Sequence, residues 1–368
     1  VNDVSAGFED TCAATSAGAA LCWGDNLTGE LGNGSTTNSR VPVGVNTLST
    51  GTAITRTSLS QLNSLHSCAL TTAGAVLCWG GNNAGQLGNK TTTNSLAPVA
   101  VTGLTAGATD LATGDGYSCA VTSAGGVSCW GLNSSGQLGN NSTNNSSVPV
   151  SVSGLASGVI AVATGGQHAC ALKSTGSVVC WGYNAEGELG NKTTTNSLVP
   201  VQVSGLSSGV TSIAVGTAHA CALTNTGAVW CWGYDGNGQL GSNLIASSPV
   251  PVAVIGLPAP QTISFAPAPT LTVGKTATIT ASASSGLPVT LTSKTPSVCT
   301  LSGTTVTAIA VGTCTISATQ GGNASYAAAV PVSQSITVGK GSQTITFGTA
   351  PTLTVGKTAT VSATASSG

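Results

Sequence analysis

His66-Ser-Cys68-Ala-Leu-Thr-Thr-Ala-Gly74-Ala-Val-Leu-Cys78-Trp79-Gly80 is the stretch on which the fold turns. Two strand-like runs flank the three-residue loop Thr72-Ala73-Gly74, with glycine where a left-handed residue closes a hairpin. Under that loop, positions pair when their numbers sum to 146, which sets Cys68 opposite Cys78 on adjacent antiparallel strands. Residues so placed have the Cβ separation of about 3.5–4.5 Å that a disulfide needs. The same ten-residue spacing, with a glycine at the same place, recurs in four more couples: Cys12 with Cys22, Cys119 with Cys129, Cys170 with Cys180, and Cys221 with Cys231. A sixth couple, Cys299 with Cys314, uses up the twelve cysteines. A structural zinc site wants closely spaced pairs converging as four ligands, which one hairpin does not supply. Disulfides are the reading taken, each removing about 2.5–3 kcal/mol of unfolded-chain entropy. They point to an oxidising compartment, so the expectation is a secreted or cell-surface protein, with the periplasm as a further option.

The second cysteines of successive hairpins follow at intervals of 56, 51, 51 and 51 residues. Each repeat holds four short strand-like runs bounded by Gly, Asn, Thr or Pro, the content of one propeller blade. Five repeats occupy residues 1–257, and five extra residues fall between Asn46 and Leu65, as a loop insertion or a decayed strand. At Gln261 the character changes: Trp, His, Asp and Glu vanish, and Thr, Ser, Ala and Val alternate. Gln261-Thr-Ile-Ser-Phe265 returns as Gln343-Thr-Ile-Thr-Phe347, and Ala268 to Thr278 returns unaltered 82 residues later.

The blade sequence resembles the regulator of chromosome condensation repeat family. The resemblance is carried by His66-Ser-Cys-Ala-Leu, Trp79-Gly80, Asn82 and Gly85-Gln86-Leu87-Gly88, and again by His168-Ala-Cys-Ala-Leu, Trp181-Gly182, Asn184 and Gly187-Glu188-Leu189-Gly190. Cysteine at two strand positions departs from the family pattern and suits an exported variant. The resemblance implies a seven-bladed ring from which roughly two blades are missing ahead of Val1, a natural five-bladed ring being the alternative. The 82-residue unit resembles a bacterial immunoglobulin-like module. The expectation is an all-β chain: a propeller at 1–257, an immunoglobulin-like β-sandwich at 258–342, and the start of a second such repeat at 343–368.

Composition excludes several roles. Charged residues make up 5% of the chain and the net charge is −1, so no basic surface exists for nucleic acid or an anionic membrane. No apolar run reaches the length of a membrane span, and the most apolar stretch, Pro249 to Pro260, is broken by prolines. The chain has no methionine and opens without a leader, and is read as a fragment.

Catalytic candidates are few. His66, His168 and His219 share one slot, two residues before the first cysteine, with Asp10 and Tyr117 in the other blades. A residue recurring blade after blade is read as packing, with a hydrogen bond to backbone, rather than as a catalytic base or a ring of metal-binding imidazoles. Trp23, Trp79, Trp130, Trp181 and Trp232 are read as wedges between blades. Trp230 occurs once, and either covers the exposed side of a terminal blade or offers an aromatic binding surface. Asp235-Gly-Asn-Gly faintly resembles a calcium loop, but Asp235 stands where Asn26, Asn82, Asn133 and Asn184 serve as turn residues. No nucleophile elbow or phosphate loop is present. No catalytic residue, cofactor or metal site is assigned.

Variation among the copies gathers before the first cysteine: Phe8, Glu9 and Asp10; Asp115 and Tyr117; Gln167 and His168; Thr217 and His219. These segments join the first and second strands of each blade and share one face of the ring. With Trp230 they are the candidate partner-binding residues, drift in loops being the plain alternative. The leading expectation is a non-catalytic platform for a protein or glycan on an immunoglobulin-like stalk. An enzyme inhibitor working through one face is the alternative. A polysaccharide-active enzyme would need a carboxylate pair such as Glu9 and Asp115, and nucleotide exchange on a small GTPase conflicts with the disulfides.

Overall fold

The Cys68–Cys78 hairpin forms as its spacing dictates. His66–Thr71 pairs antiparallel with Val76–Gly80, Cys68 lies directly opposite Cys78, and Gly74 takes φ 75° in the loop. The computed structural model describes residues 1–46, 52–60 and 65–366. Among the described residues every regular element is a strand, and the chain divides into two units, 1–256 and 257–368.

The first unit is five four-stranded antiparallel sheets, each in sequence order from the inside outwards. The innermost strands are Asp3–Ala6, Ile54–Leu59, Ala108–Thr113, Val159–Thr164 and Val210–Val215, and each packs against the next around an axis. The axial space is a cavity of about 300 Å³ lined by residues such as Asp3, Arg56, Thr113, Val162 and Ala214. Here Asp3 accepts the Thr57 N–H at 2.7 Å and Asp110 accepts the Val162 N–H at 2.9 Å, and Arg56 pairs with Asp110. Each carboxylate therefore ties its blade to the following one. Strand Ile54–Leu59 pairs with His66–Thr71, with one register shift between Ile54 and Arg56 like those in blades four and five, which excludes a decayed strand at the irregular junction. Parts of that interval, 47–51 and 61–64, lie outside the described residues.

The outermost strands, Ser39–Gly44, Ser95–Ala100, Ser146–Ser151, Ser197–Gln202 and Ser248–Ala253, carry Pro42, Pro98, Pro149, Pro200 and Pro251 at one register position. Proline has no N–H to offer, so the free edge of each blade is a poor template for strand addition. All five hairpin couples are disulfide-bonded as their spacing predicts. Cys12 is joined to Cys22, Cys68 to Cys78, Cys119 to Cys129, Cys170 to Cys180, and Cys221 to Cys231, with Cα atoms 4.0–4.1 Å apart. Cys12 faces Cys22, Cys119 faces Cys129, Cys170 faces Cys180 and Cys221 faces Cys231 in register, just as in the second blade. That is the closely spaced pairing in which cross-strand side chains meet.

Four of the five recurring tryptophans are the inter-blade wedges that their recurrence predicts; Trp23, on the first blade, has no preceding blade in this chain to wedge against and is only half-buried. Trp79, Trp130, Trp181 and Trp232 are fully buried. Each indole N–H donates to a backbone carbonyl of the preceding blade: Glu30 at 2.6 Å, and Gln86, Gln137 and Glu188 at 2.8 Å. The ring then lies on the glycine two residues further on. A Cβ added at Gly88 would sit 2.9 Å from Trp130, and Gly32, Gly139 and Gly190 are covered in the same way. The Gln-Leu-Gly signature of one blade is thus the socket for the Trp-Gly of the next.

In the second unit two sheets face each other. One contains Leu271–Thr272, Val332–Gly339, Gly312–Thr319 and Thr290–Ser293, and the other Thr276–Thr278, Thr305–Ala308 and Cys299–Ser302. Leu271, Ile279, Val306, Ile316, Ile336 and Val338 are buried between them around the disulfide of Cys299 with Cys314. Ile263–Phe265 pairs with Ala281–Ala283, and 82 residues later Ile345–Phe347 pairs with Ala363–Ala365 in the same register. The later pair is exposed throughout.

Candidate functional site

Among the described residues, the connections between first and second strands bond through their backbones from blade one to two, three to four and four to five, forming a rim. Phe8 N–H donates to Ser60 C=O at 3.1 Å, Asp115 N–H to Gly166 C=O at 3.1 Å, and Gly166 N–H to Thr217 C=O at 2.9 Å. A second set of bonds brings in the residues that follow each Trp-Gly. Asp25 N–H reaches Glu9 C=O, Leu132 reaches Gly116, Tyr183 reaches Gln167 and Tyr234 reaches Ala218, all at 2.7–2.9 Å. The Ser135 hydroxyl donates to the Gln167 side-chain carbonyl at 2.8 Å.

The candidate residues divide by direction. Phe8, Glu9 and Thr217 are exposed, and Asp115 and Gln167 are half-buried. Asp10, Tyr117 and His168 point inwards and are only 7%, 0% and 1% exposed. Each slot side chain lies over a glycine at the end of its innermost strand, so a Cβ at Gly7, Gly114, Gly165 or Gly216 would collide with Asp10, Tyr117, His168 or His219. From there it reaches the following blade: the Tyr117 hydroxyl donates to His168 C=O at 2.5 Å, and His66 Nε2 meets Ser118 Oγ at 2.9 Å. The slot is a seam between blades.

Burial sets the electrostatics of that seam. The Asp10 carboxyl is pushed up to about 7 by desolvation, aided by the neighbouring Glu30 and Asp25 carboxylates and opposed by hydrogen bonds that include one from Ser67. His168 is pushed down to about 3, again by desolvation and then by His219 beside it. Burial also lowers His219, against the pull of Asp235, and raises the Tyr117 phenol and the Glu188 carboxyl.

Trp230 lies at the seam of blades four and five. It packs with Leu206, Thr224 and Pro251 around a cavity of about 220 Å³, on the sheet face that Trp232 presents to blade four. It therefore does not cover the outer side of the last blade. Glu9 and Asp115 stand on blades one and three, with blade two between them. Tyr183 and Tyr234 are rim residues that the loop comparison passed over; Tyr183 is 37% exposed. They could have been found by extending the comparison to the position after Trp-Gly, where Asp25, Gly81 and Leu132 stand in the other blades. Among the described residues no helix is long and apolar enough to cross a membrane, and no three His, Cys, Asp or Glu side chains gather as metal ligands.

Comparison with known proteins agrees with this geometry. Residues 73–121, 124–172, 175–223 and 226–266, just over half of the chain, match the Regulator of chromosome condensation (RCC1) repeat. The chain is 35% identical over 205 residues to the mitochondrial RCC1 domain-containing protein RUG3 of Arabidopsis thaliana, covering 53% of this chain and 46% of that one. It is 29% identical over 242 residues to the Ultraviolet-B receptor UVR8 of Arabidopsis thaliana, covering 65% and 54%. The crystal structure of human WBSCR16 superposes with a TM-score of 0.61 at 26% identity, covering 69% of this chain and 66% of that one. The chain thus spans about half the length of these two curated relatives. By its repeat sequence over just over half of the chain and its blade structure, it belongs to the Regulator of chromosome condensation (RCC1) repeat family.

Proposed function

We propose that this chain is an exported, non-catalytic interaction module. In this reading the propeller rim binds a protein or glycan, and residues 258–342, with 343–368 opening a second repeat, form an immunoglobulin-like stalk. One observation supports the reading: the rim backbone bonds between blades one and two, three and four, and four and five, while the loops before the first cysteine carry different residues, Phe8-Glu9, Asp115-Gly116, Gly166-Gln167 and Thr217-Ala218, in blades one, three, four and five. Phe8, Glu9, Asp115, Gln167, Tyr183, Thr217 and Tyr234 thus form an irregular surface on a regular scaffold, the arrangement expected where loops carry specificity and strands carry stability. Export is supported by the six disulfides, which persist in oxidising compartments. A non-catalytic role is supported by how several ionisable groups are used: Asp10, His168 and Glu188 are sealed between blades.

The test is binding of the full chain to arrayed glycans and purified extracellular proteins, repeated with a rim variant carrying Phe8→Ser, Tyr183→Ser and Thr217→Lys. The control carries Thr175→Lys and Thr226→Lys, at exposed hairpin tips on the other end of the blades. Loss of the bound ligand in the rim variant alone, at unchanged melting temperature, is the expected result. Loss in the hairpin-tip variant alone moves the site to the other face and refutes the assignment.

A further inference from the structure

One asparagine per blade organises the connection between third and fourth strands. Asn82 accepts the Leu87 N–H on Oδ1 at 2.9 Å. Its Nδ2 donates into a cage of oxygens, Thr91 O at 3.1 Å, Thr93 O at 2.9 Å, Thr91 Oγ1 at 3.2 Å and Asn89 Oδ1 at 3.4 Å. Asn26, Asn133 and Asn184 repeat the pattern in blades one, three and four. The fifth blade has Asp235 in this position, with a relative exposure of 0%.

Asp235 performs only half of the task. Its Oδ1 accepts the Leu240 N–H at 2.8 Å, as the asparagines do. The loop keeps the course seen in the other blades: Asn243 takes φ 63°, matching Lys90 at 69°, Asn141 at 59° and Lys192 at 72°. Leu244 N–H bonds to Ser242 Oγ at 3.4 Å, as Thr91 N–H bonds to Asn89 Oδ1 at 3.2 Å. By equivalence of position, Oδ2 therefore faces the oxygens that surround Nδ2 elsewhere, those of Ser242, Leu244 and Ala246. It has no hydrogen-bond partner. A carboxylate oxygen buried among acceptors with no donor in reach is repelled by its surroundings, and a positive charge between them would satisfy it.

We propose that this cage is a cation site, formed by the Asp235 carboxylate, the Leu244 and Ala246 carbonyls and the Ser242 hydroxyl, and that its ligand is Ca²⁺. All the donors are hard oxygens, two of them backbone carbonyls on an irregular loop, which suits a large cation tolerant of uneven coordination better than Mg²⁺. Water completes the shell on the exposed side of the loop, where Leu244 and Ile245 are 65% and 77% exposed. Ser247 Oγ, on the same loop, donates to Glu186 Oε2 at 2.7 Å. With one buried carboxylate the affinity belongs to the weak range of extracellular calcium modules, a Kd of about 10⁻⁴–10⁻³ M.

The experiment uses the full chain stripped with EDTA and kept in choline chloride. Titration calorimetry and tryptophan-monitored melting are carried out with CaCl2, MgCl2 and NaCl separately. One Ca²⁺ per chain is expected, with a rise in melting temperature of roughly 1–3 °C at about ten times Kd. Asp235→Asn should bind Ca²⁺ more than tenfold more weakly, and should melt higher than the parent chain in EDTA because its Nδ2 fills the cage. Asn184→Asp should create a second site, with two Ca²⁺ per chain. A parent chain that ignores Ca²⁺, or an Asp235→Asn chain that binds it equally well, overturns the proposal. An equal response to Na⁺ at matched millimolar concentration overturns the assignment to Ca²⁺.

Discussion

Replacing Asp10 by Asn should make the propeller's stability climb with pH across a window in which the parent's is nearly flat. Asp10 lies at the seam of blades one and two, 7% exposed, with its carboxyl raised from 3.8 to about 7. A raised carboxyl means that the native state holds the proton more tightly than the unfolded chain does. Its contribution is therefore complete below pH 3.8 and is lost as pH rises through 7. Just over three pH units at about 1.4 kcal/mol each is about 4 kcal/mol, and local relaxation brings the expected loss to about 2–4 kcal/mol. His168 works in the opposite sense: its value falls from 6.5 to about 3, so its contribution is present above 6.5 and is lost as pH falls. Between about pH 4 and 6.5 the two slopes oppose each other and the parent chain should show a shallow profile. Asp10→Asn removes one slope, so stability should climb with pH across that window and exceed the parent's by about 2–4 kcal/mol at pH 8. Guanidinium denaturation at pH 4.5, 6 and 8 reads this out, with disulfides intact. All six tryptophans lie in residues 1–256, so fluorescence follows the propeller alone. A profile for Asp10→Asn that superimposes on the parent's would show that the carboxyl is not protonated in the seam, and the reasoning would fail.

Trp130→Phe keeps the wedge and removes the indole N–H that reaches Gln86 C=O at 2.8 Å; a loss of about 1–3 kcal/mol is expected in denaturant melts, and no change would mean that the bond contributes nothing. Gly88→Ala meets Trp130 at 2.9 Å and a φ of 66°, whereas Gly241→Ala has the same backbone problem at φ 61° with only Val254 nearby. The first should lower stability by at least about 1 kcal/mol more than the second, and equal losses would contradict the socket geometry. Replacing Cys68 and Cys78 together by alanine should cost about 2–4 kcal/mol, while alkylation of the native unreduced chain should label none of the twelve cysteines, which mass spectrometry reports directly.

Local chemistry is legible in the letters. The loop Thr72-Ala73-Gly74 sets which residues face one another, because a hairpin's register depends on its turn and on a side-chain period of two. The disulfides of the five blades and the four strands in each follow from that short-range arithmetic. The recurring Trp-Gly announces a wedge, and the recurring histidine slot announces packing with a backbone partner. Only the assembled blades decide where those side chains go. Asp10 follows exposed Phe8 and Glu9 in its loop, and Tyr117 and His168 follow half-buried Asp115 and Gln167, yet the neighbouring blade seals all three off. Tyr183 and Tyr234 reach the rim through backbone bonds to residues sixteen positions earlier, an adjacency that exists only once each sheet is formed. Asp235 reads as one more turn residue until the oxygens around its second carboxylate atom are located, because an exchange of Asn for Asp alters no shape and reverses which side must bring the positive partner.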